Sequence, residues 1–314
     1  MGSYLVTAVV STYKSEKFIR GCLEDLEAQT IADSLEIIVI DSNSPEGEGE
    51  IVKEFQKRYS NIKYIRTPER ESMYKAWNRA IRIASGEYIT NANTDDRHRE
   101  DAFEVMARAL EEHPEVALVY GDCLITTRPN ETFDQNSAHA MFRWWDWDRN
   151  WLLDYACFMG PQPMWRKKVH KVYGYFDESL KQSGDYEFWL RISQTFDFYH
   201  IPEILGLYFQ NPKGVEHSDH KNRDEENARI WALYRRAADE GRIVRCPLLE
   251  KLKSGIFTPE VELLVPLNEE QKKLHPTALA EYVEKTALER SSWWRKREGG
   301  RTAPPPRGTV FTVS

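Results

Sequence analysis

The segment GEYITNANTDDRHRED carries a strand-like apolar run straight into Asn93, Thr94, Asp95 and Asp96. Adjacent aspartates repel each other and cost desolvation unless water, a cation or backbone amides meet them. Two chemistries suit that cluster. A hard divalent cation takes carboxylate and carbonyl oxygens. A helix start takes an acidic cap, with Thr94 or Asp95 as the cap, Asp96 in the first turn and DAFEVMARALEEH as the helix. Two more polar clusters follow apolar runs, Thr12 to Lys14 after YLVTAVVS and Asp41 to Ser44 from the end of LEIIVIDS.

The elements that would position these clusters are legible from their periods. YLVTAVVS, LEIIVIDS, IKYIRT and EYITNAN read as strands. EKFIRGCLEDLEAQT, GEIVKEFQKRYS and SMYKAWNRAIRIAS recur at helical spacing between them, the last stopped by Gly86. Such alternation predicts a mostly parallel sheet with helices on both faces. In such sheets ligands bind beyond the carboxyl ends of the strands, which is where all three clusters fall.

Further on, VALVYGDCLIT is another buried strand, and an aromatic-rich stretch with Trp144, Trp145, Trp147 and Trp151 follows it. Those tryptophans read either as a face packed on the sheet or as a stacking surface for an acceptor. FDFYHIPEILGLYF offers two short strands, and NARIWALYRRAADEGR a helix. From about Pro247 the chain turns acidic and Lys-rich and ends in a Gly, Arg and Pro tail, whose WWRKR run could also rest on a membrane surface.

The chain has 314 residues, 41% hydrophobic and 30% charged, with a formal net charge of −7, so a general nucleic-acid surface is not expected. Cys22, Cys123, Cys157 and Cys246 show no CxxC spacing, which speaks against a zinc site and for reduced thiols. No apolar run approaches the ~18 residues of a membrane span. The expectation is a cytoplasmic protein, with any membrane contact peripheral and on the inner face.

The series VVSTYKSEKFIRGCLEDLEAQT, EIIVIDSNSPEGEGEIV, ESMYKAWNRAIRIASGEYI, NTDD and MGPQPMWRKKVHKVYGYFDESLKQSGDYEFWLRI resembles glycosyltransferase family 2 in order and spacing, from about Val6 to Tyr208. The resemblance implies an inverting enzyme of the GT-A nucleotide-diphospho-sugar fold. Its domain would cover 1–245, with a nucleotide half at 1–120 and an acceptor half at 121–245, followed by a helical extension at 246–290 and a flexible tail at 291–314. Position by position, it puts Thr12, Tyr13, Asp41, Asn78, Asn93, Thr94 and Asp95 at the nucleotide, with Asp41 receiving a hydrogen bond from the base. Asp95 matches the metal-binding aspartate, and His217, with His220 as competitor, matches a further ligand for Mn2+ or Mg2+. Asp185 matches the general base, although it could equally cap YEFWLRIS, and Arg191 falls on an arginine that could be structural. His217 in a charged loop also reads as a solvated histidine.

Two departures from the family pattern stand out. Asn93 replaces the first aspartate of DxD, and the loop after Asp41 reads Ser42, Asn43, Ser44, Pro45 where Asp-Gly-Ser-Thr is usual. The resemblance implies transfer from a nucleotide-sugar, a UDP-sugar above all, to a glycan, lipid-linked or protein acceptor. The reading from another class is a catalytically inactive glycan- or nucleotide-sugar-binding module, which Asn93 keeps open. A nucleotidyltransferase shares the architecture, but its Gly-rich phosphate loop with a basic residue after the first strand is absent.

Overall fold

The computed structural model describes residues 4–154, 157–212, 214 and 220–241, together with a strand at Thr309–Thr312. The opening alternation is as expected: β1 (Val6–Thr12), α1 (Glu16–Glu27), β2 (Leu35–Asp41), α2 (Glu48–Gln56), β3 (Ile62–Arg66), α3 (Met73–Ile83) and β4 (Tyr88–Asn91). β1 pairs in parallel with both β2 and β4, and β2 with β3. These strands are almost wholly apolar because both of their faces are covered. Val6, Ala8, Val10, Ile37 and Val39 join Ile19, Leu23, Leu26, Val52 and Phe55 in one core. Val9, Ile38 and Ile40 join Tyr74, Trp77 and Ile81 in a second core on the opposite face.

The rest of the chain extends the sheet and thickens that second core. β5 (Arg97–His98) and α4 (Ala102–Glu112) lead to the long β6 (Val116–Thr126), then β7 (Ala140–Arg143), α5 (Arg149–Asp154), β8 (Met164–Arg166), α6 (Val169–Tyr173), α7 (Gly184–Ser193), β9 (Asp197–Phe209), α8 (His220–Asp239) and β10 (Thr309–Thr312). The sheet runs β10, β7, β6, β8, β4, β1, β2, β3, and β9 lies parallel to β6 along its other edge. β8, from the expected acceptor half, is antiparallel to both β4 and β6. The two halves therefore share one sheet.

Three sequence expectations change here. The helix after Asp96 does not start at the aspartates: β5 intervenes and pairs with β9, and α4 begins only at Ala102, after Asp101. The cap account of Thr94 and Asp95 is thereby withdrawn. The two short strands expected in FDFYHIPEILGLYF are one strand, β9, whose register against β6 jumps from Gly121–Ile201 to Asp122–Ile204. That jump loops out Pro202, which has no N–H to give a ladder. A side chain at Gly121 would meet Leu205 Cδ1 at 2.6 Å, so any larger residue there would have to displace Leu205. Finally, four residues of the expected tail, Thr309–Thr312, form β10 antiparallel to β7. The helical extension expected at 246–290 lies outside the described residues.

The tryptophan group is largely packing. Trp145 is buried against Trp151 and Phe158, and the Trp147 ring packs at a tilt with its centroid 4.4 Å from that of Phe198 while Nε1 donates to Asp197. Among the described residues no helix is long and apolar enough to cross a membrane.

Candidate active site

The carboxyl ends of β1, β2, β3 and β4 lie on one rim. Thr12 and Asp41 are register partners, and the Ser42 amide donates to the Thr12 carbonyl. The Thr67 amide, opening the loop between β3 and α3, donates to the Asp41 carbonyl. Two residues at this rim adopt left-handed backbone, Lys14 and Asn43, each with φ of 55°. Asn43 stands where glycine is usual in the family pattern, and asparagine is one of the few side chains that tolerates that region.

Asp41 is fully buried and its carboxylate is already engaged. Oδ1 accepts from the Ser44 amide at 2.7 Å, and Oδ2 accepts from the Tyr64 hydroxyl at 2.6 Å and Arg66 at 2.8 Å. Burial, with the Asp41 hydrogen bond adding to it, pushes the Tyr64 phenol up to about 12, so it stays a donor. The expectation that Asp41 stands open to a base is corrected: the exposed member of this network is Arg66. Its guanidinium also donates to Asn43 Oδ1 and the Ser44 carbonyl, and about 44% of its side chain remains exposed. Just after β1, the Tyr13 ring has the Arg70 guanidinium 4.2 Å over it.

Beneath these loops sits Glu48, at the start of α2 and fully buried. Its Oε1 accepts from the Ser15 amide at 2.7 Å and the Ser44 hydroxyl at 2.8 Å, and lies 3.5 Å from the Thr12 hydroxyl, so it joins the loops after β1 and β2. Oε2 has no hydrogen-bond partner among the described residues.

The two aspartates after β4 are not equivalent. Asp96 is buried and faces inward, accepting from the Asn93 side chain at 3.0 Å and from the Phe209 amide at 3.1 Å. Burial, with the Asp95 charge beside it, pushes its carboxyl up to about 8. Asp96, which by type suited a cation, is thus a clasp on β9. Asp95 is half-buried, and its Oδ2 accepts from Asn211 at 2.9 Å. Arg97, 3% exposed, donates to the Thr94 and Asp96 carbonyls and braces the turn.

Asp185 lies in the first turn of α7, whose N-cap position is Ser183. Its Oδ1 accepts from the Tyr74 hydroxyl at 3.1 Å and the Tyr186 amide at 2.9 Å. Tyr74 is the second residue of α3, which starts at the carboxyl end of β3, and this contact ties Asp185 to the rim. Burial and then the Asp185 charge hold the Tyr74 phenol well above its ordinary range, which keeps it a donor.

Other expected residues lie elsewhere. Asn78 is 1% exposed, and its amide is spent on the Phe176 amide and carbonyl and on Glu178, so it clasps α3 to the segment before α7 and is not open to a nucleotide. Arg191 is structural: fully buried, it pairs with Glu187 and donates to the Tyr173 and Tyr175 carbonyls. His217 lies outside the described residues. Among the described residues no group of three His, Cys, Asp or Glu is arranged to hold a metal ion. One carboxylate such as Asp95, completed by substrate phosphates and water, is nevertheless a donor set that Mg2+-like cations accept.

Sequence reasoning missed Tyr64, Arg66, Glu48, Tyr74 and Asn211. Tyr64 and Arg66 alternate on β3 next to the strand that ends in Asp41, and that pairing was the available signal.

The pattern of glycosyl transferase family 2 matches residues 7–168. An uncharacterized glycosyltransferase of Methanocaldococcus jannaschii is 27% identical over 210 residues, 66% of this chain and 71% of the relative. Chondroitin synthase of Escherichia coli is 26% identical over 200 residues, 64% of this chain but 28% of the relative. Among solved structures, S. aureus TarS 1–349 in complex with UDP-GlcNAc superposes with a TM-score of 0.58 at 14% identity, covering 98% of this chain and 96% of that one. The mannosyltransferase PcManGT of Pyrobaculum calidifontis, in complex with GDP-Man and Mn2+, gives 0.50 at 18% identity, over 95% of this chain and 76% of that one.

Proposed function

From the premise that this chain belongs to glycosyl transferase family 2, has the GT-A fold and is a glycosyltransferase, we propose that it is inverting and metal-dependent and uses a nucleoside-diphosphate sugar, a UDP-sugar above all. The acceptor is a hydroxyl of a glycan, lipid-linked or protein molecule. The observation that carries this reading is the meeting of Asp41, Asp95 and Asp185 with their partners on one rim of the sheet. The TarS complexes with UDP and UDP-GlcNAc support the choice of donor.

In this reading Tyr13, Arg66 and Arg70 form the nucleotide wall, and Thr12 and Thr94 line it. Asp95 holds Mn2+ or Mg2+, with Asn93 and His217 as candidate further ligands. The cation, when bound, supplies charge neutralisation for the departing diphosphate. Asp185 takes the proton of the acceptor hydroxyl as that oxygen attacks the anomeric carbon. The new C–O bond forms on the face opposite the breaking bond to phosphate, so the configuration inverts. Residues 1–245 form the transferase unit. A cytoplasmic setting, at the inner face of a membrane where the acceptor is lipid-linked, is supported by the free, buried Cys22 and Cys123 thiols.

UDP is expected to raise the melting temperature clearly with Mn2+ and only weakly in EDTA. A ligand at one hundred times its Kd stabilises the folded state by about 2.7 kcal/mol. Equal shifts with and without the cation would remove the metal from the mechanism. Release of nucleoside diphosphate from a panel of UDP- and GDP-sugars separates a transferase from an inactive binding module, which would bind without turnover.

Asp41→Ala is expected to lower both UDP affinity and stability, each by about 1.5–3 kcal/mol, the usual worth of hydrogen bonds to a charged group. The substitution leaves Tyr64 and Arg66 without their shared acceptor and frees Arg66 from its place. Isothermal titration with UDP and urea unfolding read the two effects. Unchanged affinity would take the Asp41 and Arg66 network out of the donor site.

A further inference from the structure

We propose that Glu226, on α8 and beyond the family match at 7–168, is the residue that positions Asp185 for proton transfer. The inference rests on the reading of Asp185 as general base. Glu226 is 2% exposed, and its carboxylate accepts three successive backbone amides, Lys181 at 2.9 Å and Gln182 and Ser183 at 3.0 Å each, besides Asn222 Nδ2 at 3.0 Å. Those amides belong to the turn immediately before α7, two residues from Asp185.

Successive N–H groups converging on one point form an anion-binding concavity. Here the anion is a side chain of the protein. The turn has no cap of its own, because Ser183 at the N-cap position makes no side-chain cap bond. The shape of KQSGD is therefore templated from outside, by α8.

The rest of α8 continues the grip. Trp231 Nε1 donates to the Tyr186 hydroxyl at 2.7 Å, and the Tyr234 hydroxyl donates to Glu187 at 2.6 Å. Ile230, Leu233 and Ala237 bury the apolar side of the same interface. From the opposite side Tyr74 holds the Asp185 carboxylate itself. Asp185 is thus fixed between α3, which reaches its side chain, and α8, which holds the backbone of the turn at 181–183 just before it. A general base must stand within hydrogen-bond reach of its proton, and a misplacement of about 1 Å costs up to about 10²-fold in rate.

The test uses the full chain with Glu226→Gln and Glu226→Asp. Glutamine keeps the volume but turns an NH2 toward amides that need an acceptor. Aspartate keeps the charge one methylene short. Three readouts are taken: hydrogen exchange of the amides of 181–183, UDP affinity with Mn2+, and nucleoside diphosphate release from UDP-glucose, UDP-N-acetylglucosamine and GDP-mannose. Glu226→Gln is expected to speed exchange at 181–183 and lower turnover about 10–100-fold with UDP affinity within about twofold, and Glu226→Asp to recover part of both losses. Undiminished turnover, or UDP affinity falling together with turnover, overturns the positioning role. Asp185→Asn is run alongside: its full activity would overturn the base reading and the positioning role with it, whereas an inactive Asp185→Asn beside an undiminished Glu226→Gln would overturn the positioning role alone.

Discussion

Asp185→Asn is expected to slow sugar transfer about 10²–10⁴-fold, the usual worth of general-base assistance, while UDP binds as before. The expectation follows from what the carboxylate touches. Its Oδ1 accepts from Tyr74 and from the Tyr186 amide, and asparagine can present its carbonyl oxygen to both. The helix start and the Tyr74 contact therefore survive, while the variant loses the capacity to take up a proton. Were Asp185 present merely for the first turn of α7, the substitution would be nearly silent, because asparagine is tolerated at helix starts as well as aspartate is. Single-turnover transfer at saturating donor, beside a calorimetric titration of UDP with Mn2+, separates the two accounts. A variant as fast as the wild type would end the assignment.

Two residues on, Glu187→Gln should fail differently, by unfolding. Glu187 and Arg191 are 1% and 0% exposed at their side chains, one turn apart on α7. Removing one partner of a buried pair strands the other charge, at a cost of about 3–5 kcal/mol. Here the Tyr234 hydroxyl also loses a charged acceptor. In the wild type burial is outweighed by the Glu187 charge and hydrogen bond, which hold the Arg191 guanidinium above its ordinary value; glutamine removes that compensation, and arginine's ordinary value is itself too high for it to shed its proton instead. Urea unfolding of wild type and variant measures the loss, and a difference below about 1 kcal/mol would show that the pair has water or another partner available to it. The sequence alone makes Glu187 the obvious substitute base should Asp185 fail. Its burial in an ion pair excludes that role.

This contrast shows what was readable from the chain and why. The first four strands and their helices were legible because a parallel sheet covered on both faces writes itself as apolar runs, and runs survive in one dimension. The placing of Thr12, Asp41 and Asp95 at strand ends was legible for the same reason. The partners of those residues were not. Asp41 reads as an open carboxylate until β3 brings Tyr64 and Arg66 beside it, and Asn78 reads as a polar helix residue until Phe176 closes on it from 98 positions away. Asp95 and Asp96 are chemically identical in the sequence. Only the end of β9, arriving more than a hundred residues later, turns one inward and leaves the other half-exposed. Glu226 sits in a run so charged that it reads as a solvated face.

The sharing of one sheet by the two halves has a kinetic side. Contacts that shape the rim near the nucleotide wall close short loops, 23 and 25 residues for Asp41 with Tyr64 and Arg66 and 36 for Thr12 with Glu48. Those that bring in the base and seat the aspartates close loops of 111, 113 and 116 residues. The difference is about two doublings of loop length, roughly 1.2 kcal/mol of extra closure entropy, which is small against the stability gained once the strands dock. The order of events is what it decides. During synthesis the first four strands have their neighbours at hand, whereas the edge of β4 must wait for β8, so an apolar sheet edge stands open until some seventy further residues have been made. A ribosome-bound chain stopped between β4 and β8 is therefore the stage at which this protein is most exposed to mispairing, and the stage at which a chaperone would have most to cover.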